Sequence, residues 1–184
     1  MRAELVPLSR HMARVLRHKP AMWGLKLDRE GWTSVQALLA GAAEHGFVLS
    51  EADLQEIVAT NDKRRFSFSP DKTRIRAVQG HSVPVELGLK PSVPPPVLFH
   101  GTIRKYLPAI LRDGLLPMKR HAVQLSSSKD SARWVGARKG LPVVLLVDSM
   151  RMHRDGCLFW RSENGVWLTP NVPAQYLTAD GGKR

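Results

Sequence analysis

The strongest constraint on how this chain can fold is a proline-rich stretch near its middle, where Pro84, Pro91, Pro94, Pro95 and Pro96 fall within residues 83–97. Each proline lacks a backbone donor and fixes φ near about −65°, so such a run cannot lie inside a helix or a central strand. A domain boundary is therefore expected here. Residues 1–83 form one lobe, 84–96 a linker and 97–184 a second lobe. Polyproline geometry makes the linker a stiff spacer, suited to two lobes held apart around a cleft.

In the first lobe, Leu8, Met12, Val15 and Leu16 share one face at amphipathic-helix spacing, with Arg10, Arg14 and Arg17 on a neighbouring stripe. Pro7 suits the first turn, and Pro20 disfavours helix at Lys19, so the helix ends near His18. Leu25-Lys26-Leu27 reads as a short strand. A second helix starts at Thr33 or Ser34 and closes at Gly46, and Ser50 to Asp53 forms the capping box of a third, which stops at Asn61. The period then becomes alternating. Arg65 to Ser69, the turn Pro70-Asp71-Lys72 and Thr73 to Val78 make a hairpin whose alternation points Arg65 away from the face shared by Phe66 and Phe68. Three helices followed by a two-stranded wing is the order of a winged-helix module, which binds nucleic acid in some proteins and only protein in others.

The second lobe is rich in short strands. Val97 to His100 reads as a strand running into Gly101-Thr102, Tyr106 to Leu111 as a helix ending at Gly114, and Val123 to Ser126 as a second strand. Ser128 to Lys139 forms a helix with Ala132, Trp134 and Val135 available for packing. Pro142 to Val147 is the most apolar strand, and Asn164-Gly165 joins a last hairpin between Leu158-Phe159-Trp160 and Val166 to Thr169. The fold class is thus α+β.

Charge narrows the partners. The net charge of +12 points toward polyanions, and residues 97–184 carry 14 Lys and Arg against 6 acidic residues, a difference of +8, whereas residues 1–80 carry 13 against 9, a difference of +4. Cys157 is the only cysteine, which excludes an intramolecular disulfide and a cysteine-built zinc site and fits a reducing, cytoplasmic setting. The longest apolar run, Val143 to Val147, is too short to span a bilayer.

Three basic clusters stand out: Arg17-His18, Lys63-Arg64-Arg65 and Lys119-Arg120-His121. A guanidinium fork matches two phosphate oxygens, and a nearby histidine can move a proton near neutral pH. Each cluster alone reads equally as a solvated basic face, and Arg17-His18 also as a helix C-terminus complementing its dipole. His100-Gly101-Thr102 joins a backbone that a ligand can approach to two hydrogen-bonding side chains; a structural histidine is the other reading. Gln79-Gly80-His81-Ser82 is a polar turn or part of the cleft.

Taken in order, Leu16-Arg17-His18, Asp28-Arg29-Glu30-Gly31-Trp32, Lys63-Arg64-Arg65-Phe66, Ile75 to Ser82, Leu98 to Thr102, Arg120 with Gln124-Leu125-Ser126, and Asn164 to Thr169 closely resemble the RNA 2'-phosphotransferase family, from about Leu8 to Leu177. The resemblance implies an N-terminal winged-helix RNA lobe and a C-terminal ADP-ribosyltransferase-like lobe. It implies catalytic roles for Arg17, His18, Arg65 and Arg120, with Arg64 the rival for the third place. NAD is the implied co-substrate, bound by His100, Gly101, Thr102 and Ser126, and no metal is required. The implied partner is 2'-phosphorylated tRNA or a similar RNA, met by a monomeric, cytoplasmic protein.

In the chemistry the resemblance implies, the RNA 2'-phosphate attacks the nicotinamide-ribose carbon of NAD and nicotinamide leaves. The neighbouring ribose 2''-hydroxyl then attacks phosphorus, giving RNA with a free 2'-OH and ADP-ribose 1'',2''-cyclic phosphate. Where the family often reads His-Val-His, this chain has Ala122-Val123-Gln124, with a histidine displaced to His121. Gln124 can still hydrogen-bond, while Ala122 cannot. An ADP-ribosyltransferase acting on terminal phosphates of RNA or DNA and a non-catalytic RNA-binding protein are the alternatives.

Overall fold

A computed structural model describes residues 1–61 and 63–180. The fold is mixed α/β, with six helices and small antiparallel sheets among the described residues. The chain divides into two compact units, Met1–Gly88 and Leu89–Arg184.

In the first unit, α1 (Leu5–His18) is followed by a 3-10 turn at Pro20–Trp23, β1 (Thr33–Ser34), α2 (Val35–Glu44), α3 (Glu51–Thr60) and the hairpin of β2 (Phe66–Phe68) and β3 (Arg74–Ala77). Local chemistry sets these limits. The Lys19 amide donates to the Val15 carbonyl and closes α1, Ser34 caps α2, and Ser50 and Asp53 complete a reciprocal capping box at α3. The sheet runs β1-β3-β2, with Thr33 opposite Ile75 and Phe66 opposite Ala77. Met12, Leu16, Leu38, Leu54, Ile57 and Ile75 form the core, each buried side chain contributing about 1.5–3 kcal/mol.

One local expectation fails here. Leu25 to Leu27 forms no strand, because Gly24, left-handed at φ 61°, ends the 3-10 turn and the Leu25 amide bonds back to the Pro20 carbonyl. The third strand is supplied instead by Thr33 and Ser34.

The second unit contains β4 (Leu98–Ile103), α4 (Leu107–Asp113), β5 (Val123–Leu125), α5 (Lys129–Ala137), β6 (Pro142–Val147), α6 (Ser149–Arg154), β7 (Trp160–Arg161), β8 (Trp167–Thr169) and β9 (Leu177–Ala179), with 3-10 turns at Arg104–Tyr106 and Ala174–Tyr176. Two three-stranded antiparallel sheets result, ordered β4-β6-β9 and β5-β8-β7. Phe99 and Ser126 exchange backbone hydrogen bonds of 2.9 and 2.8 Å, which joins the two sheets. Leu98, Leu125, Leu145, Val147, Met152 and Phe159 belong to the buried core of this unit. Residues 91–96 are bonded into this unit too, through Ser92 to Phe159, Pro95 to Ser149 and Pro96 to Met150.

Helix α5 corrects a packing expectation. Ala132 and Gly136 face inward, while Trp134 and Val135 are exposed. The reason is close approach: a Cβ on Gly101 would lie 1.7 Å from the Ala132 carbonyl oxygen, and one on Gly136 would lie 2.7 Å from the Thr102 carbonyl oxygen. A helix seated that tightly on β4 has no room for an indole beneath it. Helix α6 and strand β9 are additional to the elements expected from the sequence.

Candidate active site

In the first unit the end of α1 is held by a tertiary partner. The Ser82 amide donates to the Arg17 carbonyl at 2.9 Å, and the Ser82 hydroxyl lies 2.9 Å from His18 Nδ1. Arg17 and His18 are half-buried, whereas Arg10 and Arg14 on the same helix are exposed. The dipole still favours positive charge at this terminus, but a dipole alone needs no serine from residue 82. The turn at Gln79 to Ser82 is therefore attached to this helix end.

Arg65 is fixed from another side. Its Nη1 donates to Asn61 Oδ1 at 2.9 Å, and Asn61 Nδ2 donates to Ser9 Oγ on α1 at 2.8 Å. Asn61 and Ser9 are both buried, so the amide must keep these partners or lose its solvation without compensation. Arg64 is exposed, with a left-handed backbone at φ 38°. Of the two rivals, only Arg65 has a structural anchor in the hairpin: the Val78 amide donates to its carbonyl at 3.0 Å.

That same hydrogen bond relates Arg65 to Arg17. Val78 bonds the Arg65 carbonyl and Ser82 bonds the Arg17 carbonyl. Four peptide steps separate Val78 from Ser82, about 14 Å if fully extended, and the turn at Gly80, φ 88°, shortens the path. Both arginines are thus tied by their carbonyls to one short segment of the same unit.

In the second unit Gln124 is the organising residue. Its carbonyl lies 3.1 Å from His100 Nδ1, and its side-chain oxygen accepts a hydrogen bond from Arg120 Nη1. Burial lowers the His100 pKa below its ordinary value, and the charges of Lys139 and Arg120 lower it further against the opposing pull of the Gln124 carbonyl. The imidazole is accordingly neutral near pH 7 and keeps Nδ1 directed at that carbonyl. Ser126 sits on the neighbouring rung, paired with Phe99.

Gly101 and Thr102 occupy different surroundings. The backbone approach that glycine permits at Gly101 is used by α5, and Thr102 is buried. His100 and Thr102, two residues apart on β4, share the face opposite the one Gly101 turns to the helix. No group of three or more His, Cys, Asp or Glu suited to a metal occurs among the described residues.

Sequence reasoning missed Asn61 as a positioning residue, seeing only a helix stop. Its signal was an asparagine just ahead of a basic triplet, which is suggestive only once Ser9 is known to face it.

The chain as a whole is also similar to known proteins. The family model described as RNA 2'-phosphotransferase, Tpt1 / KptA family matches residues 3–171. Three similar proteins, each named a probable RNA 2'-phosphotransferase, come from Streptomyces coelicolor, Trichormus variabilis and Agrobacterium fabrum. They are 52%, 50% and 52% identical to this chain, covering 94%, 95% and 92% of it and 93%, 96% and 91% of their own lengths.

Proposed function

This chain belongs to the RNA 2'-phosphotransferase, Tpt1 / KptA family, and on that premise we propose that it transfers an RNA 2'-phosphate to NAD. The net reaction gives RNA with a free 2'-OH, nicotinamide and ADP-ribose 1'',2''-cyclic phosphate. In this reading the first unit is a winged-helix RNA lobe, with β2 and β3 as its wing, and the second is an ADP-ribosyltransferase-type lobe. The observation that carries it is that Arg65 and Arg120 are each held by a side-chain amide, Asn61 and Gln124. An exposed charge with no task needs no such anchor.

In this reading Arg17 and Arg65 of the first unit, and Arg120 of the second, are phosphate-binding residues. Fixed guanidinium groups position the phosphate as a nucleophile and stabilise the negative charge that gathers on its oxygens, where one well-placed donor is worth about 3–4 kcal/mol. His18, oriented through Nδ1 by Ser82, moves a proton during the release of the RNA 2'-oxygen.

The residues present fit NAD. A neutral His100 can hydrogen-bond a ribose hydroxyl, with Thr102 on the same strand face and Ser126 on the neighbouring rung, while Gly101 serves the site by seating α5 against β4; the charges of Arg120, Arg138 and Lys139 suit a pyrophosphate. NAD supplies the ribose carbon that accepts the phosphate and the adjacent hydroxyl that captures it.

Incubation of the purified protein with NAD and a 2'-phosphorylated oligoribonucleotide tests the proposal. Release of ADP-ribose cyclic phosphate and unphosphorylated RNA is expected. A stable ADP-ribosylated RNA that never yields a free 2'-OH would falsify it and favour a terminal-phosphate ADP-ribosyltransferase.

A further inference from the structure

Outside the phosphate site the second unit leaves two aromatic rings in the open, each beside a cation. Trp134 on α5 is 65% exposed and Tyr106, in the 3-10 turn after β4, is 43% exposed. The Arg138 guanidinium carbon lies 5.8 Å from the centroid of the Trp134 ring, and Lys139 Nζ lies 5.9 Å from that of Tyr106. Trp134 does not seat α5, which packs through Ala132 and Gly136. The surroundings are strongly basic: residues 101–140 contain nine Lys and Arg against Asp113 and Asp130. The same cations reach the candidate site, because Lys139 acts on His100 and Arg138 acts on Arg120.

A flat apolar ring beside a fixed cation, repeated once, matches an anion that also carries flat faces. Single-stranded nucleic acid has both, and base–aromatic stacking is tolerant of sequence. A duplex hides its base faces, and an acidic peptide has no use for two open rings. We propose that Tyr106, Trp134, Arg138 and Lys139 form a stacking surface for unpaired bases of the RNA flanking the 2'-phosphorylated nucleotide. The proposal rests on the reading of RNA as substrate, and it extends recognition beyond the phosphate itself.

Binding of a short single-stranded oligoribonucleotide without a 2'-phosphate, followed by fluorescence anisotropy, is the test. Trp134→Ala is expected to weaken it about 5- to 150-fold, the loss of one base–aromatic stack. Trp134→Phe is expected to retain most of the affinity, and Val48→Ala, at a 93% exposed apolar residue of the first unit, to retain all of it. Trp134→Ala binding within twofold of the unaltered protein overturns the surface, as does Trp134→Phe falling as far as Trp134→Ala. Attachment to phosphatidylserine vesicles through Trp134, with RNA affinity unchanged, also overturns it. Turnover of a 2'-phosphorylated dinucleotide separates the two readings. If turnover persists while Trp134 proves irrelevant, the surface fails and the transferase stands; if RNA binds through Trp134 without any phosphate transfer, the reverse holds.

Discussion

Ser82 holds the end of α1 at two residues: its hydroxyl sits 2.9 Å from His18 Nδ1, and its amide donates to the carbonyl of the preceding Arg17 at 2.9 Å. Ser82 is itself exposed, so removing its hydroxyl costs little in folding. Ser82→Ala is expected to lower kcat on the order of tenfold, part of the about 10²–10⁴-fold a positioned acid–base group supplies, and to leave KM for RNA unchanged. Ser82→Thr restores the hydroxyl and most of the rate. A matched rise in KM, or an unaltered kcat, would remove His18 orientation from the mechanism.

Arginines that grip phosphate should separate from those that only add charge. Arg65→Ala and Arg120→Ala are each expected to reduce kcat by about 10²–10³-fold, whereas Arg10→Ala, at an exposed position, changes it less than about threefold. Arg65→Lys is expected to stay impaired, because lysine lacks the fork that Asn61 and a phosphate share. Steady-state kinetics on one 2'-phosphorylated substrate checks all four, and an equal loss at Arg10 would remove the phosphate-binding role proposed for Arg65 and Arg120.

Asn61 joins α1 to Arg65 through a buried amide. Asn61→Ala leaves the Ser9 hydroxyl without that partner and frees Arg65 Nη1 from its anchor. Unfolding in urea is expected to show a loss of about 1–3 kcal/mol, accompanied by reduced turnover at temperatures where the variant is still folded. A variant as stable as the parent would mean that the amide does not tie the two elements together.

Much of this was legible in the chain. Amphipathic spacing gave α1, Pro20 gave its end, and Ser50 with Asp53 gave α3, because these signals act within one or two turns. Alternation sets Arg65 off the face shared by Phe66 and Phe68, while Arg64 stays its rival for a catalytic role. What escaped were relationships that depend on distant partners: the pairing of Thr33 with Ile75, the amide of Asn61 reaching Ser9, and the outward turn of Trp134. Trp134 illustrates the cause. Its hydrophobicity argues for burial, and only the backbone contact between Gly101 and Ala132 shows why no space remains beneath α5.

Gly101 offers a direct check of that contact. A methyl group there must displace the Ala132 backbone, which no side-chain rotation relieves. Gly101→Ala is expected to cost upwards of about 3 kcal/mol, near the severe end for a small-to-large change in a packed interior, and to lower the thermal midpoint of the protein. A variant that melts like the parent yet binds NAD poorly would instead assign the glycine to ligand approach.

His100 couples the candidate site to pH. Its unfolded value is about 6.5, and burial with the Lys139 and Arg120 charges lowers the value in the fold. Above pH about 6.5 both states carry a neutral imidazole and this group adds no pH dependence. As pH falls below that point the unfolded chain takes up a proton that the folded one refuses, so stability declines until the lowered folded value is reached. Carboxylates act further down: Asp71, held to about 2 mainly by the Ser69 hydroxyl and also by Thr73, loses its contribution only in stronger acid. Urea midpoints measured from pH about 7 to 5 should therefore slope downward for the unaltered protein and flatten for His100→Asn. An identical slope in both would show that the imidazole is protonated in the folded state as readily as in the unfolded one, and would remove the neutral hydrogen-bonding role assigned to it.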